Sequence, residues 1–229
     1  MKTIGLIGGM SWESTATYYQ YINEQIRDQS STLTSAKILL NSLNFAEVVA
    51  LQQAGKWHEA GELLAVAAKQ LALAGADCLL ICTNTMHLVA DQVANAVTVP
   101  LLNIIVETAQ ALKQAGCCKP LLLATRYTME HGFYTEQMAQ LGLQVVVPAS
   151  DGRAALQRII FDELCCGITR ESSKEALLDL IRQAQASGID SVILGCTELQ
   201  LLLDPNQLPL PGFDSTLIHA KAAVRFARQ

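Results

Sequence analysis

Two short polar segments each follow an apolar run and carry groups able to move protons. One is Cys82-Thr83-Asn84-Thr85-Met86-His87; the other is Gly195-Cys196-Thr197-Glu198-Leu199. A thiol at the carboxyl end of a strand can serve as base or nucleophile where amides or a helix N-terminus lower its pKa below the reference of about 8.5. A lone cysteine is otherwise a small buried hydrophobe. Cys196 is raised above that reading by its place at a strand end and by the polar pair Thr197 and Glu198 behind it. The run Thr83 to Thr85 can offer convergent donors to a carboxylate, or it can simply cap the helix that follows. Cys82 precedes Thr83 by one residue, so strand alternation points the two side chains to opposite faces and leaves Cys82 as core.

An internal repeat ties these segments together. GADCLLICTNT from Gly75 resembles GIDSVILGCTE from Gly188: a helix-ending Gly, an Asp two residues on, an apolar strand, then a polar residue eight positions past the Gly. Thr83 and Cys196 are therefore equivalent. A second echo links KTIGLIGGMS from Lys2 with KPLLLATRYT from Lys119, setting Gly8 to Ser11 against Thr125 to Thr128. Repetition at this spacing implies two copies of about 110 residues each, close to the usual size of a domain.

Around these segments, short apolar runs alternate with longer stretches of helical period, the pattern of parallel sheets covered by helices. Strands are expected at Thr3 to Ile7, Ala36 to Leu40, Cys78 to Cys82, Leu101 to Asn103, Pro120 to Ala124, Gln144 to Val147 and Ser191 to Leu194. Helices are expected at Ser14 to Asp28, Trp57 to Ala74, Met86 to Val97, Ile105 to Ala115, Thr128 to Leu141, Ala154 to Cys165, Lys174 to Ser187 and Thr216 to Ala227. The fold class is α/β, with two similar pseudo-symmetric domains. The first takes residues 1–99 and, through a proline-rich return near Leu208 to Pro211, the last helix in 212–229; the second takes 100–211. Ligands of open parallel sheets bind beyond the carboxyl ends of the strands. Met10, Thr83, Thr125 and Cys196 all fall there, which places the expected site in the cleft between the domains.

Composition narrows the function classes. Of 229 residues, 51% are hydrophobic and 16% charged, which excludes a disordered chain and suits buried strands and a subunit interface. A net charge of -5 with 16 Lys and Arg argues against a dedicated nucleic acid binder. The seven cysteines include two adjacent pairs, Cys117-Cys118 and Cys165-Cys166, and no CxxC spacing, so neither a disulfide framework nor a zinc site is expected. The four histidines lie far apart and form no metal motif. MKTIGLIGGM runs straight into a strand without a signal region, so a cytoplasmic, reducing location is expected. The most apolar stretch, Leu63 to Cys82, is broken by Lys69, Gln70 and Asp77, which argues against a membrane span. Gly5, Gly8 and Gly9 match neither GxGxxG nor a P-loop and read as a close-approach turn, with Ser11 and Ser14 as natural N-caps. His87, Gln52, Arg126 and Glu198 draw interest from their positions near the strand ends. Trp12 and Trp57 read as packing residues.

Taken together, GLIGGMSWEST, CTNTMH, ATRYTMEHGFY, IIFDEL, GCTEL and FDSTLIHA resemble the aspartate/glutamate racemases of the cofactor-independent superfamily, in particular the bacterial broad-specificity amino acid racemases. The resemblance spans essentially the whole chain. It implies a small-molecule amino acid substrate, no PLP or other cofactor, no metal, and often a homodimer. It also implies two facing cysteines, one removing the α-proton while the other returns a proton from the far side, with the carbanion held by hydrogen bonds alone. Here Thr83 stands where the family has its first cysteine, and Cys82 is one residue out of register. A hydroxyl can donate or relay a proton but is a poor base near neutral pH. The resemblance therefore implies an asymmetric pair, with Cys196 acting as base on the L-enantiomer and Thr83 as donor or relay. By position, the substrate contacts would be the Met10 backbone, Gln52, Thr83, Asn84, Thr85, Thr125, Thr128, Thr197 and Glu198. Some relatives hold a side-chain carboxylate with an Arg and a Lys where this chain has Val49 and Cys165. That opens the choice between aspartate, glutamate and other amino acids. Two alternatives stay open: a single-thiol decarboxylase similar to the arylmalonate decarboxylases, and a dicarboxylate-binding protein with little or no catalysis.

Overall fold

The computed structural model describes residues 1–28 and 33–229. It divides into two compact units, one of residues 1–104 with 216–229 and one of residues 105–215.

The first unit is built on four parallel strands: β1 (Ile4–Gly8), β2 (Ile38–Ser42), β3 (Cys78–Ile81) and β4 (Leu101–Leu102), in the order β2-β1-β3-β4. Every residue of β1 and β3 is buried, which is why both read as unbroken apolar runs rather than alternating ones. The alternation appears instead in what each face meets. Ile7, Leu79 and Ile81 pack against a layer containing α2 (Phe45–Gln53), α3 (Trp57–Leu73) and α4 (Ala90–Ala94). Ile4, Leu6, Cys78, Leu80 and Cys82 pack the other way, against α1 (Trp12–Asp28) and α10 (Ser215–Ala227), which returns from the end of the chain. Cys82 is thus core, on the face away from the α3 layer.

The turn from β1 into α1 is set by glycine. Gly9 has φ +84, and a Cβ there would run into the Leu43 backbone; one on Gly8 would strike Thr15. The close approach lets Gly9 N–H donate to Thr15 Oγ1 at 2.8 Å, and Ser11 Oγ caps the helix by accepting from Ser14 N–H at 3.2 Å. Ser14 is not a cap. Its hydroxyl donates to the Cys82 carbonyl at 3.0 Å and so braces the end of β3.

The second unit repeats the plan with three strands, β5 (Pro120–Leu123), β6 (Ser191–Leu194) and β7 (Gly212–Asp214), parallel and in that order. Its helices are α5 (Ile104–Gln114), which enters it from the first unit, α6 (Arg126–Glu130), α7 (Phe133–Gln140), α8 (Ser150–Arg158) and α9 (Glu171–Gln185). On α9 the buried residues Ser173, Leu177 and Ile181 recur every four positions, the stripe of a helix lying on a sheet.

Several expectations are corrected. The strand expected at Gln144 to Val147 is a single bridge, Leu121 to Val146, at the outer edge of β5. The helix expected at Met86 to Val97 begins as a 3₁₀ turn, Thr85–Val89. Gly132, at φ +81, splits the helix expected at Thr128 to Leu141 into α6 and α7. The helix ending near Cys165 passes through a π turn, Ile159–Glu163, and a 3₁₀ turn, Leu164–Cys166. Helix α2 and strand β7 were not expected at all. Trp57 packs on the core as anticipated, but Trp12 is 68% exposed.

Candidate active site

Strands β3 and β6 end in the same way. Two residues past the last strand residue come Thr83 and Cys196, and each leads into a 3₁₀ turn, Thr85–Val89 in one unit and Thr197–Leu201 in the other. The carboxyl ends of the buried strands thus bring polar residues to corresponding places.

In the first unit, Thr83 is half-buried and Asn84 is buried. Thr83 N–H donates to the Ile81 carbonyl at 2.9 Å, and the Thr83 carbonyl accepts from His87 Nδ1 at 2.8 Å. Gln52, on α2, reaches the same loop by donating to Met86 Sδ at 3.0 Å. Met10 is buried in the core cluster that also holds Met86. Met10, Gln52, Thr83, Asn84 and Thr85 therefore gather at the carboxyl edge of this sheet.

Behind the loop lie two buried imidazoles whose tautomers are fixed by their partners. The Ile104 N–H must donate to His87 Nε2, at 3.1 Å, so the proton of His87 sits on Nδ1 and faces the Thr83 carbonyl. The Leu102 carbonyl must accept from His219 Nε2, at 2.8 Å, which leaves His219 Nδ1 to accept from the Tyr18 hydroxyl at 2.8 Å. The rings meet edge to face with centroids 5.7 Å apart. Burial lowers His87 to about 4; burial, then the nearby His87, lowers His219 to about 3.

In the second unit, Thr125 and Thr128 follow β5, and their hydroxyls share a hydrogen bond of 3.1 Å. Cys196 is 9% exposed, and its thiol donates to Glu198 Oε2 at 2.9 Å; the Thr197 hydroxyl donates to the same oxygen at 2.8 Å. Burial first, then the Glu198 carboxylate, hold the thiol well above its ordinary pKa, and Cys165 adds a smaller push in the same direction. The lowered pKa entertained for Cys196 from its strand-end position is therefore not what the free protein has. The Glu198 backbone N–H, bonded to the sulfur, pulls the other way but does not outweigh burial and the carboxylate, and the resting group is a thiol, not a thiolate. Cys82 is pushed up by burial alone and has no part in this cluster.

Two residues with a bearing on the site carried little signal in the sequence. Cys165, at the end of the IIFDEL segment, is exposed yet near enough to affect Cys196. Glu163 is buried beside it, accepting from Ser173 Oγ and from Arg158 Nη1 at 2.7 Å, and so ties the π turn to α9. Among the described residues, no cluster of His, Cys, Asp or Glu is arranged to hold a metal ion, and no helix is long and apolar enough to cross a membrane.

Two small parallel sheets flanked by helices are also the fold of solved Asp/Glu racemase structures. Residues 7–223 match the model of the Asp/Glu/hydantoin racemase family, and the chain belongs to that family. Among curated relatives, it is 26% identical over 160 residues to the broad specificity amino-acid racemase RacX of Bacillus subtilis, covering 69% of this chain and 67% of that one. Among solved structures, a candidate Asp/Glu racemase from Yersinia pestis is 47% identical with a TM-score of 0.95, and an aspartate racemase homologue from Pyrococcus horikoshii OT3 is 37% identical with a TM-score of 0.90. Both match over 100% of each chain.

The buried imidazoles make stability fall with acid. Unfolded histidines protonate near 6.5 while His87 and His219 stay neutral in the fold, so between these values the unfolded chain binds more protons. Lowering pH from 7 to 5, above the range where carboxylates titrate, is expected to cost about 2 kcal/mol per imidazole. Urea midpoints read this directly, and a midpoint that holds or rises from pH 7 to 5 contradicts it. The thiol makes a second prediction. In Glu198→Gln the carboxylate charge is gone, so alkylation of Cys196 by iodoacetamide at pH 8, followed peptide by peptide, is expected to quicken several-fold. An unchanged or slower rate would show that the carboxylate does not govern the thiol.

Proposed function

We propose that the chain racemises an acidic amino acid, aspartate or glutamate, without PLP, by removing the Cα proton and returning one to the opposite side. Cys196 performs the proton chemistry on the L-enantiomer, and Thr83 donates or relays the proton on the other side. The observation that carries this reading is the equivalence of Thr83 and Cys196, each two residues beyond a buried strand and each leading into a 3₁₀ turn, in a chain of the racemase family.

To act as base, Cys196 must first lose its own proton. The hydrogen bond to Glu198 gives that proton an acceptor, and the ammonium group of an incoming amino acid would offset the negative charge that keeps the thiol protonated. Donors for the substrate carboxylates and the developing carbanion come from Thr125, Thr128 and Thr197 in the second unit, and from Asn84, Thr85, Gln52 and the Met10 backbone in the first. Thr83 cannot match a thiolate as base, so Cα proton exchange from the D-enantiomer is slow, and because the two enantiomers are equal in free energy the same step limits net conversion from either side. The reading includes a cytoplasmic homodimer, for which the low charge content, 16%, leaves room on the surface.

One observation favours a second reading. A protonated thiol held by Glu198 is what a proton donor needs, and a single-thiol decarboxylase would use Cys196 to protonate an enediolate after carbon dioxide leaves. Carbon dioxide release from a panel of substituted malonates, with no change in the handedness of amino acids, would favour it.

With chiral chromatography of aspartate and glutamate as the assay, Cys196→Ser is expected to lose more than about a hundredfold in kcat, as removal of a general base or acid does. Thr83→Cys is expected to raise turnover of the D-enantiomer at least about tenfold, by the same scale. A Thr83→Cys protein that is folded yet no better from the D side would remove Thr83 from the reaction.

A further inference from the structure

We infer that His87 is a positioning residue for Thr83: its neutral imidazole spans from the Thr83 carbonyl to the Ile104 amide and so fixes where the Thr83 hydroxyl sits. The inference rests on the catalytic reading of Thr83 above.

Thr83 lies past the end of β3, where the ladder no longer holds the chain. Its N–H turns back to Ile81, and its carbonyl has the His87 Nδ1–H as donor. His87 is itself immobilised. It is 4% exposed, its backbone N–H donates to the Asn84 carbonyl at 3.1 Å, and its Nε2 is held by Ile104 N–H, the first amide of α5. Ile104 is fully buried, and His219 holds the Leu102 carbonyl two residues earlier. The segment Leu102 to Ile104 thus acts as a fixed rail, and one imidazole hangs the Thr83 loop from it. Only the neutral ring with its proton on Nδ1 can do both jobs, because Ile104 requires an acceptor and Thr83 requires a donor.

The second unit lacks the device. By the repeat, Gln200 stands where His87 does, and the Cys196 carbonyl accepts from the backbone N–H of Leu199 at 3.2 Å instead. The imidazole therefore accompanies the weaker proton-moving group. A hydroxyl that must donate along a defined line tolerates less drift than a large, polarisable sulfur. Misplacing a reacting group by about an ångström can cost around a hundredfold in rate.

The test compares His87→Ala and His87→Gln, each alone and combined with Thr83→Val, with L-aspartate and L-glutamate as substrates. A glutamine amide can donate to Thr83 and accept from Ile104 at once. Expected for His87→Ala is a kcat loss of about ten- to a hundredfold with KM changed less than about threefold. His87→Gln should recover most of it. On the Thr83→Val background, His87→Ala should cost nothing further, since the group it positions is already gone. In labelled protein, the Thr83 amide signal should broaden or move in His87→Ala and return in His87→Gln, a readout that does not need activity. Full additivity of the two losses, or a folded His87→Ala protein with an unmoved Thr83 signal, overturns the inference while leaving the racemase reading intact. A silent Thr83→Val overturns the catalytic reading of Thr83 and this inference with it.

Discussion

Burial of β3 and β6 on both faces leaves their chains only one way to present polar groups, which is to run past the carboxyl end. Within the strands every position is covered and all but Ser191 are hydrophobic, and polar groups come forward in the two or three residues that follow. Thr83 and Cys196 stand among them. The same constraint explains the supports around them. Where the ladder stops, side chains take over: Ser14 holds the Cys82 carbonyl, His87 holds that of Thr83, and Ser215 donates to the Leu194 carbonyl at 2.9 Å.

The two strand ends differ in what they hold ready. At Cys196 a buried thiol points its proton at a carboxylate, an arrangement that stores the acid form and resists the base form. Charge brought in by a ligand would shift that balance. At Thr83 the side chain has no comparable acidity to tune, so the protein controls its place rather than its pKa. In the racemase reading proposed above, charge governs the proton chemistry on one side and geometry on the other.

Much of this was legible in the residues. The apolar runs gave the buried strands because full coverage removes alternation, and the repeat alone sets Thr83 and Cys196 at equivalent strand ends. Alternation also sorted Cys82 from Thr83. What was hidden had physical reasons. Helix α2 carries a weak amphipathic pattern beside a loop, and β7 is three residues that pair only because β6 is there. Gly132 looked like one more residue in a helical period until its positive φ broke the helix. The raised pKa of Cys196 depends on how deeply a thiol is buried and on which way the Glu198 side chain turns, and neither is written in spacing. The tautomers of His87 and His219 likewise depend on backbone partners at Ile104 and Leu102, remote in sequence from both.

The central claim is that proton chemistry at Cα runs through one thiol and is therefore unequal from the two enantiomers. Incubation in D2O, with deuterium at Cα of the recovered substrate and product followed by NMR, tests it most directly. The account predicts incorporation starting from L-aspartate or L-glutamate, and slow or no incorporation starting from the D-enantiomers. Equal incorporation from both would contradict it.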